Sequence, residues 1–155
     1  MDQVNRAWKS GLASYADAYA EASDLMLRSL EAAVANSVFG GSEAVVVPQL
    51  RSTDTVLNEE SFAWRTAEAV ARGAGGRVVP LLSRRVAKGK SPAGDVVARE
   101  DFHDDGELQV DLRVLERLVV EEGVEEFLVS DDDAGTGASN RVARNAIVGA
   151  LAKLN

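Results

Sequence analysis

At 155 residues the chain is long enough for one domain with a proper core and short for two. Seventeen basic residues against twenty-five acidic ones leave a net charge of −8, which argues against a general nucleic-acid or membrane surface. The lack of cysteine excludes disulfides, thiolate nucleophiles and cysteine–zinc sites, and a single histidine, His103, speaks against a histidine-rich metal site or a Ser-His-Asp triad.

No stretch reaches the ~18 apolar residues of a membrane span, and no secretory apolar segment opens the chain. A cytoplasmic protein is therefore expected, organised as a single α/β domain over 1–155.

The first predicted element is a helix over 3–37. Val4, Trp8, Leu12, Tyr15, Tyr19, Ala22, Met26, Leu30 and Ala33 recur at spacings of three and four, along one stripe. Gly40-Gly41 supplies the stop. Two readings of the stripe stay open. It packs on its own domain, or it is a narrow seam through which residues 3–37 build a homo-oligomer or hold a partner.

Strands then alternate with helices over 43–154. "EAVVVPQL" (43–50) is a β-branched run suited to a buried parallel strand. "NEESFAWRTAEAVARGAGG" (58–76) predicts a helix with Phe62, Ala63, Ala67, Val70 and Ala71 facing inward. "RVVPLLSRR" (77–85) reads as a second strand whose Pro80 marks an edge or a bulge. "VAKGKSPAGD" (86–95) is a polar loop, and 96–110 holds a short strand and a turn at "HDDGE".

"DLRVLERLVVEEGV" (111–124) predicts an amphipathic helix ending at Gly123. "EEFLVS" (125–130) is a third strand, and "SNRVARNAIVGALAKL" (139–154) is a closing helix. The alternation predicts a parallel, doubly wound sheet with flanking helices, whose ligands bind beyond the carboxyl ends of the strands.

One such end carries the most informative stretch, "FLVSDDDAGTGAS" (127–139). Asp131, Asp132 and Asp133 follow an apolar strand, and Gly135 and Gly137 precede a helix. Glycines let consecutive backbone N–H groups turn toward one point. With the positive end of the helix dipole they form an anion seat suited to a phosphate. Thr136 and Ser139 add hydroxyl donors, and Ser139 is also a candidate N-cap. The carboxylates suit what lies beside a phosphate: sugar hydroxyls, a magnesium ion or a developing positive charge. A sugar phosphate such as ribose 5-phosphate is the expected ligand. The bland alternative is a solvated strand end followed by a turn.

The order of apolar strand, Asp131-Asp132, three residues, Thr136-Gly137, one residue and Ser139 resembles the phosphoribosyl-pyrophosphate signature of type I phosphoribosyltransferases. "EAVVVPQLRS", "SFAWRTAEAVARGAGGRVVPLLSRR" and "RRVAKGK" are similar, in order, to segments of the competence-associated, amidophosphoribosyltransferase-like branch. The resemblance implies that Asp131 and Asp132 contact the ribose hydroxyls, steady an oxocarbenium-like transition state and lie at the metal. Asp133, Gly135, Thr136, Gly137, Ala138 and Ser139 would hold the phosphorylated ribose. Arg84, Arg85, Lys88 and Lys90 would neutralise a pyrophosphate bridged by magnesium.

"PQLRSTDT" after the first strand departs from the family's glycine turn, with Arg51 as its only basic residue. A regulatory binder of such a ligand therefore stands beside an active transferase. A Toprim-type Asp131/Asp133 metal site lacks its glutamate after the first strand, where Pro48-Gln49 stands. A calcium loop lacks its closing glutamate. The non-enzymatic rival is a scaffold that assembles through the N-terminal helix.

Overall fold

A computed structural model describes residues 13–51, 53–87, 108–131 and 138–154 of the protein. The fold is mixed α/β, with a small parallel sheet of three strands and flanking helices. Strand β1 (Val45–Pro48) is central, β2 (Arg77–Val78) pairs on one side and β5 (Phe127–Ser130) on the other. Every residue of β1 is buried, as an apolar strand covered on both faces must be.

Alternation along β1 sends its side chains to two cores. Val45 and Val47 join Leu81, Leu115, Leu118, Ala143 and Ile147 in the larger one. Val46 joins Ala67 and Ala71 of helix α2 (Phe62–Ala74) in the smaller one. Helix α3 (Leu112–Glu116) and helix α4 (Ala138–Lys153) supply the larger core, so the two faces are covered by different helices.

Local signals explain where α2 begins and ends. The Ser61 hydroxyl accepts the Trp64 N–H at 3.2 Å, capping the first turn. Gly75 takes the left-handed conformation that closes the last one. Of the residues expected to face inward, Ala63, Ala67 and Ala71 are buried, while Phe62 and Val70 are half-buried. Thr66, Ala69 and Gly73 are buried as well, because α2 is sandwiched.

Its outer neighbour is α1, described over Ala13–Ala35; Val4, Trp8 and Leu12 lie outside the described residues. The two helices run parallel, pinned by Arg65–Asp24 at 2.8 Å and Arg72–Glu31 at 3.0 Å. They approach so closely that a Cβ on Gly73 would stand 2.5 Å from the Glu31 carbonyl oxygen. That closeness corrects the expected stripe. α1 buries Ser23 and Leu27 against α2, whereas Met26 and Ala33 of the stripe are exposed. A small hydroxyl fits a tight helix contact that a methionine would force apart.

Two further elements differ from expectation. The strand foreseen over 77–85 is broken into β2 and β3 (Leu82–Arg84) around Pro80, whose missing N–H cannot continue a ladder. β3 leaves the parallel sheet and pairs antiparallel with β4 (Leu108–Val110), so among the described residues the parallel sheet stops at three strands. The helix foreseen over 111–124 is α-helical only through α3 and widens into a π-helical turn over Arg117–Glu121. There the Glu122 N–H donates to the Arg117 carbonyl at 3.1 Å, and Gly123, at φ 68°, turns the chain toward β5. An Arg77–Glu122 ion pair ties this corner to the edge strand β2.

No helix among the described residues is long and apolar enough to cross a membrane.

Candidate functional site

The sheet order β2–β1–β5 creates a topological switch point. From β1 the chain passes through α2 to β2 on one side, and β5 then adds to the other side of β1 before α4 follows. α2 and α4 cover opposite faces, so the carboxyl ends of β1 and β5 lead to helices on opposite sides of the sheet. The crevice outside such strand ends is where open α/β sheets bind ligands.

Gln49, the residue after β1, organises this crevice. It is buried, and its backbone N–H extends the ladder by donating to the Ser130 carbonyl at 2.7 Å. Its side-chain oxygen accepts the Leu50 N–H at 3.1 Å, and its Nε2 donates to Oδ1 of Asn140 at 3.3 Å. Gln49 thus joins the end of β5 through its backbone and the first turn of α4 through its side chain. Ser130 is buried beside it, and Asp131 is half-buried at the end of β5. Ala138 and Ser139 belong to the backbone of that first turn; since the helix begins at Ala138, Ser139 lies inside the helix and not at its cap.

Asp132, Asp133, Gly135, Thr136 and Gly137 lie outside the described residues, as do Lys88, Lys90, His103 and the "HDDGE" turn. Of the expected cations, Arg84 and Arg85 are described. Arg84 is buried at the end of β3, and its backbone N–H donates to the Thr55 carbonyl at 2.8 Å. That bond fastens β3 to the loop that leaves β1. Arg85, next to Arg84, is exposed. Arg84, Arg85 and Asp131 each take part in polar or electrostatic contacts. In the same loop Arg51 pairs with Asp54 at 3.2 Å.

Among the described residues no three carboxylate or histidine side chains gather as a metal site. Asp131 is a described carboxylate directly after β5. Composition and periodicity do not single out Gln49 or Asn140. Their signal is positional: an amide follows directly on the central buried strand, and a second amide stands in the first turn of the last helix.

No family model matches the chain, and neither a curated protein nor a solved structure matches it.

Proposed function

We propose that the crevice between β1 and β5 binds a phosphorylated ribose, as phosphoribosyl pyrophosphate or a nucleotide, in the manner of a type I phosphoribosyltransferase. The observation that supports this reading is the position of Asp131. It ends β5 at the switch point, half-buried, and the chain then enters the first turn of α4 beside Gln49.

In this reading the amides of Thr136 to Ser139 and the α4 dipole receive the 5-phosphate. Asp131 and Asp132 receive the ribose hydroxyls and the positive charge that develops as the glycosidic bond lengthens. A magnesium ion carried by the pyrophosphate would be held by Asp131 and Asp132 and would offset phosphate charge. Arg84 and Arg85, at the end of β3, offset pyrophosphate charge together with Lys88 and Lys90. Without the family's glycine turn after β1, a regulatory binder fits the chain as well as a transferase. Calorimetric titration with magnesium and phosphoribosyl pyrophosphate tests the binding directly.

A second reading has an observation of its own. Leu25 and Met26 on α1 are 59% and 37% exposed, so a scaffold that assembles through this helix has apolar surface to use.

A further inference from the structure

The two edges of the parallel sheet are unlike. β2 is two residues long, carries Arg77 and is followed by Pro80, three devices that stop a further strand from pairing. β5 has none of them. Its four residues, Phe-Leu-Val-Ser, hold no charge, proline or glycine. Among the described residues no strand pairs with its outer side.

The ladder shows which groups that side presents. The Glu126 and Ser130 carbonyls accept from Val45 and Gln49 of β1. In a strand alternate residues turn the other way, so Phe127 and Val129 aim their N–H and C=O outward. Beside this edge an open groove of about 390 Å³ runs between β5 and α4, lined by Phe127, Val129, Ile147, Val148 and Arg144. Val148 is 53% exposed there.

We infer that the outer edge of β5 is a homodimer interface, two copies pairing antiparallel across a two-fold axis near Phe127. Charge selects a second copy of this chain as the occupant. Glu125 stands two residues before Phe127 and is exposed. With the axis at Phe127, Glu125 of one copy falls opposite Val129 of the other, where Arg144 lines the groove. The two-fold repeats the contact, giving two Glu125–Arg144 pairs. Neither residue has an ion pair among the described residues. Joining the edges would unite the two copies' three described parallel strands in one sheet and turn β5 from an edge strand into an interior one.

Sedimentation of the full chain tests this. The wild type should be a dimer at tens of micromolar. Val129→Pro removes an outward N–H and leaves the β1 ladder intact, and it should give a folded monomer by circular dichroism. Glu125→Arg or Arg144→Glu alone should raise the dimer dissociation constant roughly tenfold at low salt, and the two together should restore it. The charge pair decides the matter even if the proline variant does not fold. A wild-type monomer at about 200 μM, or a dimer indifferent to the charge reversals, overturns the interface. A monomer that instead captures unrelated extended peptides along this edge overturns it too, in favour of a peptide-binding edge.

Discussion

Nε2 of Gln49 donates to Oδ1 of Asn140 at 3.3 Å, tying the end of the central strand to the first turn of the last helix across the crevice. The same side chain accepts the Leu50 N–H. Gln49→Ala removes both partners at a position only 4% exposed. A buried amide network broken on one side costs about 1–3 kcal/mol. Urea unfolding should show a lower midpoint with an unchanged slope.

Two helical glycines should respond to alanine with opposite signs. A Cβ on Gly73 would meet the Glu31 carbonyl at 2.5 Å and the Val34 Cβ at 2.8 Å, and the first contact is backbone that cannot rotate away. Gly73→Ala should cost roughly 1–3 kcal/mol by forcing α1 from α2. A Cβ on Gly149 in α4 meets nothing within 4 Å. Gly149→Ala should stabilise by about 0.5–1 kcal/mol, since only the helix preference changes. Thermal unfolding of the two variants side by side checks the contrast.

The ion pairs that flank this helix contact carry much less. In Arg65–Asp24 the side chains are 40% and 62% exposed, so water screens the attraction. Asp24→Asn should change stability by less than about 1 kcal/mol, and the small effect should shrink further in salt. If it costs as much as Gly73→Ala, charge and not close packing holds the two helices together.

Leu25→Glu with Met26→Glu addresses assembly through α1. Both positions face away from α2, so stability should move by no more than about 0.5 kcal/mol. Sedimentation should report the same mass as the wild type. A loss of oligomer in this variant would favour the scaffold reading.

The elements that were legible in the sequence have strong local signals. "VVVP" is apolar without alternation, as a strand buried on both faces must be, and Ser61 and Gly75 bracket α2 with a cap at each end. What was not legible depends on partners distant in the chain. Nothing near Ser23 announces that it, and not Met26, is buried; that depends on α2, whose Arg65 pairs with Asp24 across 41 positions. Pro80 signals an interruption, but the departure of β3 to pair with β4 comes from a strand beyond residue 100. Within the candidate site the acids stood out by chemistry, and Asp131 lies at a strand end as expected. Gln49 and Asn140 became visible only once the sheet order brought residues 91 positions apart into contact.

Titration of the folded chain with phosphoribosyl pyrophosphate and magnesium bears most directly on the proposed binding site. Saturable heat is predicted, with a dissociation constant below about 1 mM that is lost in Asp131→Asn with Asp132→Asn while circular dichroism stays unchanged. No heat at millimolar ligand from folded protein, or equal binding by the doubly substituted chain, would contradict it.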